Sequence, residues 1–157
     1  MTANATQDFI EKVGLIMQAE GFPRIAGQIL GYLVMAGEPR TLTQMTKALS
    51  ISKGSASTNA RLLEDKRAIN RVSPLGSRGD AYEACDQPYV QMMTELTRRF
   101  RTNAAAIAAV AERFDAGDND KRARAEEMIE FMRHSATFLE EWLVRLEQMG
   151  ATALTSE

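Results

Sequence analysis

The 157-residue sequence has few of the residues that mark disulfides, membrane spans or disordered tails. The single cysteine, Cys85, excludes an internal disulfide and is typical of a protein of the reducing cytoplasm. The longest uncharged apolar run, residues 25–37, is shorter than the roughly 20 residues that a membrane helix needs. The acidic N-terminal segment shows no apolar export signal. With four prolines and no long polar run, the chain predicts one globular domain, or one with an appendage.

Catalytic and metal-binding patterns are also lacking. His134 is the one histidine, and without a second His or a nearby Cys it does not predict a metal site, so we expect an exposed or interfacial residue. The pairs Glu126–Glu127 and Glu140–Glu141 are expected to form a solvated helix face. No nucleophile–base pattern and no glycine-rich phosphate loop occurs. The sequence therefore predicts that the protein is not an enzyme and needs no cofactor or metal.

Charge is distributed unevenly along the chain. Between Arg40 and Arg78, eight basic residues stand against two acidic ones, a net charge of +6. From Gln91 onward, nine basic residues stand against twelve acidic ones, a net charge of −3. A basic block within an acidic chain indicates a polyanionic partner for that block. A solvated charged face is the alternative.

Apolar residues at helical spacing predict two helices at the start of the chain, over residues 7–20 and 23–36. The second is apolar almost all round and is expected to be the buried centre. Gly27 and Gly31 lie one turn apart on it and would let another helix approach closely.

Two short helices follow. Thr41 and Gln44 form a capping-box pattern that opens the first, and Ser52 is expected to cap the second. Because a turn of only three residues, 50–52, separates them, the pair predicts a helix-turn-helix unit.

The second helix of this pair, "SKGSASTNARLLED" over residues 52–65, has small polar residues on its outer face. Ala56, Ala60 and Leu63 repeat at i, i+4 and i+7 and are expected to face the core. Thr58 marks the outward centre, with Asn59 on one flank. Glycine and hydroxyl residues let the backbone approach a major groove and bond phosphates or base edges. The expected DNA contacts are Thr41, Ser52, Lys53, Gly54, Ser55, Ser57, Thr58, Asn59, Arg61 and Arg78.

A hairpin is predicted directly after this helix. Residues 69–72 and 81–85 suit short strands, and the loop between them, "SPLGSRGD", is dense in turn residues. Arg78 stands between two glycines at the loop tip, which suits insertion into a minor groove. A basic hairpin after a helix-turn-helix is a wing. Cys85, at its end, is expected to be a small buried hydrophobe, with a redox switch as the alternative.

Two long helices are predicted in the rest of the chain, over residues 88–114 and 119–149. Their apolar seams are too long for a small winged domain to cover alone, which predicts a homodimer. Two copies would reach successive major grooves about 34 Å apart. The first seam consists of Val90, Met93, Phe100, Ala104, Ile107, Ala111 and Phe114, with Thr97 as its polar position. The second consists of Met128, Met132, Ser135, Leu139, Trp142, Leu146 and Met149.

Four aromatic residues on these helices have two interpretations. Phe100, Phe131, Phe138 and Trp142 either belong to the core or dimer interface, or line an effector pocket. Such a pocket would suit a quaternary ammonium group held by cation–π contacts.

The stretches "GFPRIAGQILGYLVMAGEP", "LSISKGSASTNARLLED" and "INRVSPLGSRGDAY" resemble the GbsR-type branch of the MarR-like winged-helix transcription regulators. The resemblance covers residues 7–149 and implies a recognition helix over 52–65 and a wing over 73–80. It also implies a homodimer formed by the N-terminal helix and the two C-terminal helices. Family members sense small ligands, and some are linked to choline or glycine betaine uptake. Ala56 and Ala60 depart from the family, where larger aliphatic residues are common.

The sequence as a whole predicts a mainly α fold: a winged helix-turn-helix DNA-binding domain with an N-terminal helix and two long C-terminal dimerisation helices. The expected boundaries are residues 1–22, 23–86 and 87–157. The expected function is that of a cytoplasmic, dimeric transcription repressor that binds a palindromic double-stranded DNA operator and is released by a small-molecule effector, with no membrane partner. The alternative is a winged-helix protein–protein interaction module that does not bind DNA.

Overall fold

The computed structural model describes residues 4–76 and 79–154. Its elements are α1 (Ala5–Ala19), α2 (Arg24–Ala36), β1 (Arg40–Thr41), α3 (Leu42–Leu49), α4 (Lys53–Asp65), β2 (Ile69–Val72), β3 (Ala81–Ala84), α5 (Pro88–Ala111) and α6 (Asn119–Leu154). The chain divides into two compact units, Met1–Gln91 and Met92–Glu157. The predicted mainly α fold with a winged helix is confirmed.

Glycines allow α1 and α2 to pack closely in the first unit. A Cβ placed on Gly27 would lie 2.7 Å from the Cα of Gly14 and 2.7 Å from the carbonyl oxygen of Val13. A Cβ on Gly31 would lie 3.2 Å from the Cα of Ile10. Larger side chains would therefore push the two backbones apart, and the predicted close approach at Gly27 and Gly31 is confirmed.

Helix α2 lies within one residue of the predicted range of 23–36. Pro23 is its N-cap residue, and Gly37 ends the helix in the left-handed conformation with φ of 62°. An ion pair also joins α2 to α1, since the Arg24 guanidinium donates to the Glu11 carboxylate at 2.5 Å. The Gln28 amide donates to the same carboxylate at 2.7 Å.

The sheet has three antiparallel strands in the order β1-β3-β2. In β2 and β3, Ile69 pairs with Ala84 and Val72 with Ala81, which confirms the predicted hairpin. The two-residue β1, which is too short for a pattern of its own, was not predicted. The largest fully buried side chains of this unit come from α1, α2, α3, α4 and β2, and they are Met17, Ile29, Leu30, Leu33, Met45, Leu63 and Ile69.

In the second unit, α5 and α6 pack through a cluster of alanines and larger apolar residues. Ala104, Ala111 and Ile129 are buried together, and Ile107, Ala108, Phe114, Ala125 and Met132 pack against them. Helix α5 ends at Ala111, three residues before the expected end, and α6 continues to Leu154. Thr97, the polar position of the first seam, is buried and its hydroxyl donates to the Met93 carbonyl at 2.9 Å.

The seam predicted for α6 divides into a buried and an exposed part in the single chain. Ile129 and Ala136 are fully buried, whereas Met128 and Met149 are 54% and 68% exposed. Two apolar rows lie one residue apart along α6, which is about 100° around the helix, and the predicted seam mixed members of both. Across the described residues, no helix has the length and apolar character needed to cross a membrane.

Candidate nucleic-acid interface

Both helices of the helix-turn-helix begin at the caps that the sequence predicted. The Thr41 hydroxyl accepts from the Gln44 amide at 3.2 Å while the Gln44 side chain accepts from the Thr41 amide at 2.8 Å. The Ser52 hydroxyl accepts from the Ser55 amide at 3.1 Å and caps α4. Ser50, with φ of 53°, turns the chain between the two helices. The first turns of both helices are thus held without DNA.

The inner face of α4 consists of Ala56, Ala60 and Leu63, all fully buried as predicted. The placement of Asn59 on the outward flank was wrong. Asn59 is 8% exposed, and its side-chain amide donates to the Ser55 carbonyl at 2.9 Å. It lies three residues after Ala56 and four before Leu63, so it shares their side of the helix.

The outer face of α4 is open. Lys53, Gly54, Thr58 and Arg61 are exposed, while Ser55 and Ser57 are half-buried. A Cβ placed on Gly54 would meet no atom within 4 Å, and Gly54 is not among the residues with positive φ. Neither packing nor backbone conformation therefore requires glycine at this position of the free protein.

Ion pairs within the fold neutralise part of the basic block. The Arg40 guanidinium lies 2.7 Å from the Glu38 carboxylate. Arg71 lies between Glu64, at 3.3 Å, and Asp80, at 3.5 Å. The net charge of +6 therefore overstates the charge available to a polyanion. Lys47, Lys53 and Arg61 are exposed and have no ion pair among the described residues.

Arg71 also joins α4 to the base of the β2–β3 hairpin. Its guanidinium lies 5.6 Å from the centroid of the Tyr82 ring. The nearby Tyr82 phenol, and then the Glu64 carboxylate, raise the pKa of Arg71, so this side chain stays charged. Because Glu64 belongs to α4 and Asp80 precedes β3, the cation links both elements to β2.

The wing is anchored at its base. The Ser73 hydroxyl donates to the Asp80 carboxylate at 3.3 Å, across the start and end of the loop. Pro74 and Leu75 are exposed, and Gly76 turns the chain with φ of 85°. Arg78, the residue expected to enter a minor groove, lies outside the described residues.

Cys85 is half-buried at the end of the hairpin. Burial raises the pKa of its thiol, and the carboxylates of Asp86 and Glu83 raise it further. The thiol therefore stays protonated at neutral pH, which is the opposite of what a reactive cysteine needs. It borders a cavity of about 450 Å³ that the sequence did not predict, whose other polar lining residues include Glu38, Asn70, Glu83, Asp86 and Gln87. Within the described residues, no group of three metal-binding side chains occurs.

Three of the four aromatic residues that were expected to line an effector pocket lie around one cavity. Phe100, Phe131 and Phe138 line a shallow apolar cavity of about 540 Å³, together with His134, Ser135 and Leu139. Among the described residues, Trp142 does not line this cavity, although it is 41% exposed. The His134 side chain is 80% exposed and lies 3.7 Å from the Glu130 carboxylate, which agrees with an exposed or interfacial residue.

A pair of short helices joined by three residues and followed by a hairpin defines a winged helix-turn-helix domain, in which the second helix of the pair reads a major groove. Residues 20–79 match the family model "MarR family". The similarity to the MarR family is confined to that segment of the chain.

Proteins with similar sequences are named as HTH-type transcriptional regulators or repressors. The chain is 35% identical over 92 residues to YvaV of Bacillus subtilis (strain 168), named as an HTH-type transcriptional regulator, with 59% of this chain and 51% of the relative covered. It is 31% identical over 93 residues to the HTH-type transcriptional repressor OpcR of the same organism, with 59% and 50% covered. It is also 30% identical over 97 residues to the HTH-type transcriptional regulator MmpR5 of Mycobacterium tuberculosis, with 57% and 59% covered. The chain thus spans about half the length of the first two relatives.

A solved structure extends the likeness of fold to nearly the whole chain. The crystal structure of a transcriptional regulator superposes with a TM-score of 0.83 at 22% sequence identity, covering 92% of this chain and 99% of that one. At this identity the match concerns the fold, and it includes both units.

Proposed function

We propose that this chain is a dimeric, sequence-specific DNA-binding transcription regulator that acts as a repressor. The observation that carries the proposal is the open outer face of α4, where Gly54 serves no purpose in the free fold. A helix that enters a major groove needs its backbone close to DNA, and glycine near the N-terminus permits that approach. The amide groups of a helix N-terminus also favour a phosphate.

The expected contacts can be sorted by their surroundings. Lys53, Thr58 and Arg61 are exposed and can reach base edges or phosphates, and Ser57 accompanies Arg61. Thr41 and Ser52 accept hydrogen bonds as caps, so their hydroxyls can still donate to phosphate. Asn59 is not part of the proposed interface because it is buried. Arg78 stays in the proposal on the basis of the sequence alone.

Dimerisation is proposed from the apolar surface of the second unit. Met128, Phe131, Phe138, Val144 and Met149 are each more than half exposed, and Val110 on α5 is 52% exposed. A monomer rarely leaves so many large apolar side chains in water along one helix. A role for residues 1–22 in the dimer, and the boundary near residue 86, belong to the same proposal.

Assignment to the GbsR-type branch, a cytoplasmic location and the absence of enzymatic activity complete the proposal. The branch is supported by the "PRIAGQILG" stretch, whose Gly27 and Gly31 receive α1. The repressor role is supported by the name of OpcR. The absence of activity is supported by the relatives, which are named as regulators.

A small-molecule effector that binds near the aromatic residues of α5 and α6 is also proposed. Trp142 stands apart from the cavity of the three phenylalanines, so the four residues do not form one cage. Titration with choline and glycine betaine, followed by Trp142 fluorescence, tests an effector at this face. No change up to millimolar ligand would remove it from the proposal.

DNA binding is tested by selecting bound fragments from the source genome and measuring affinity for them between low and moderate salt. We expect tight binding to a palindromic site, with affinity falling linearly on a log–log scale as salt rises. No salt-dependent association with any fragment would favour the protein–protein interaction module instead.

A glycine-to-leucine substitution tests whether the open face of α4 at Gly54 lies against DNA. We expect Gly54→Leu to weaken operator binding at least tenfold while the protein folds normally, because the added side chain meets nothing in the free chain. Gly117→Leu is the matched control, since Gly117 is also open and lies in an acidic loop. It should change neither folding nor binding. Equal binding by both variants would show that α4 does not enter a groove closely.

A further inference from the structure

Helix α6 has a second apolar row that its own unit leaves uncovered. This row, which we call the outer row, has residues spaced alternately three and four positions apart. It consists of Met128, Phe131, Ser135, Phe138, Trp142, Arg145 and Met149. Met128, Phe131, Phe138, Trp142 and Met149 are between 41% and 68% exposed. The neighbouring row, one residue further along, contains the buried Ile129 and Ala136. A row with this spacing is the seam of a helix that packs against another helix.

The shallow apolar cavity on α6 has the geometry of a hole in such packing. Phe131, His134, Ser135 and Phe138 line it at positions i, i+3, i+4 and i+7. Four residues at this spacing form the hole that receives one side chain of a facing helix. The central small residue, Ser135, leaves room between two phenylalanines, and Phe100 of α5 lines the cavity as well.

We propose that the outer row of α6 binds the same row of a second copy in antiparallel orientation, with Phe138 of the partner subunit inserted at Ser135. This inference rests on the proposed dimer and specifies its contact. Placing Phe138 of the partner subunit in this hole sets the register: Ser135 faces Phe138, Phe131 faces Trp142 and Met128 faces Arg145, each pair occurring twice by symmetry. A register one heptad further along would place the charged Arg145 in the apolar hole.

Charge favours the antiparallel orientation. Arg145 and Glu127 are exposed, and neither has an ion pair among the described residues. The register places Arg145 next to Met128 of the partner subunit, and Glu127 is the residue before Met128. In a parallel pair, each residue would face its own copy, so two arginines would meet in the seam. Opposite charges set orientation in this way in paired helices.

Disulfide cross-linking tests the register in the full-length chain. Cys85→Ser removes the one native thiol, and Phe131→Cys and Trp142→Cys are added separately to it. When the two variants are co-expressed with different tags and oxidised, we expect a disulfide-linked heterodimer, because facing core positions bring the two sulfurs within bonding distance. Each variant alone should give less than about one tenth of that yield. Efficient cross-linking of Phe131→Cys with itself, or none between the two variants, would overturn the antiparallel register.

A second measurement does not depend on introduced cysteines. By analytical ultracentrifugation, Ser135→Phe should weaken the dimer at least tenfold by filling the hole, while Ser135→Ala leaves it unchanged. Glu127→Arg should also weaken it, and adding Arg145→Glu should restore it to within threefold. Lack of rescue, or a Ser135→Phe dimer as tight as wild type, would contradict the proposal.

Different results would refute the proposed dimer and the proposed α6 contact. A wild-type chain that sediments as a monomer at micromolar concentration would refute the proposed dimer and this contact with it. A dimer that shows the wrong cross-links would refute this contact alone and leave the proposed function intact.

Discussion

The guanidinium of Arg61 donates a hydrogen bond to the Ser57 hydroxyl, one turn earlier on α4, at 3.0 Å. Both residues were expected to contact DNA, and in the free protein they already form a unit along the outer face. Holding a long side chain in place reduces the rotamer entropy lost when it binds. The pair is therefore the part of the interface where a substitution has the clearest expected effect.

Arg61→Ala should cost about 1–3 kcal/mol of operator binding and relax the preference for one base pair, if Arg61 contacts a guanine. Arg61→Lys should not restore the preference, because lysine lacks the planar fork that bonds two acceptors at once. Fluorescence anisotropy with the selected operator and single-base variants measures both effects. Unchanged binding by Arg61→Ala at low salt would exclude Arg61 from the interface.

Gly27→Ala should lower the free energy of unfolding by about 1–3 kcal/mol, the usual cost of an extra methylene in a packed interior. The added carbon would lie 2.7 Å from backbone atoms of α1, which cannot move aside without shifting the helix. Urea unfolding measures the change, and Gly54→Ala, with open space around it, serves as the control. Equal stability of the two variants would mean that α1 and α2 pack less closely than described.

Ser50→Gly should stabilise the fold by about 0.5 kcal/mol. Ser50 has φ of 53°, where residues with a Cβ are disfavoured by roughly 1 kcal/mol, and the greater freedom of unfolded glycine offsets part of that gain. Gly37→Ala, at φ of 62°, should act in the opposite direction. Thermal unfolding of the two variants measures the direction of each change in stability. A loss of stability in Ser50→Gly would contradict the prediction.

Stability should fall in acid partly through Glu11. Its hydrogen bond from Arg24 is the main cause of a pKa below the ordinary value of 4.5. A lowered pKa contributes stability above the ordinary value, and that contribution is lost as pH falls below 4.5 through the lowered pKa. Glu11→Gln should therefore be less stable than wild type near pH 6, with the difference shrinking towards pH 3. A difference independent of pH, measured by urea unfolding, would contradict this.

Local patterns in the sequence were reliable where they depend on neighbouring residues. The caps at Thr41 and Ser52 and the β2–β3 hairpin follow from the residue types along one continuous segment, and each was predicted. The buried Ala56, Ala60 and Leu63 followed from helical spacing alone. Asn59 was misplaced because a polar residue was assumed to face outward, although its amide is satisfied by a carbonyl one turn earlier.

Ion pairs and strand pairs between different elements could not be predicted from the residue pattern of one segment. Arg71 counted as free positive charge in the sequence, yet it is paired with Glu64 and Asp80, seven and nine residues away. Strand β1 exists only because β3 supplies its partner. The division of α6 into a covered and an uncovered row depends on which side α5 packs against, and both rows have the same spacing.

The sequence by itself determined the order of elements, the winged helix-turn-helix and the open outer face of α4, because these follow from periodicity, caps and residue size along one segment. Only the tertiary structure decided which charges remain free, which row of α6 is buried and how the aromatic residues group. Those properties arise from contacts between distant segments, and the sequence contains no local signal for them.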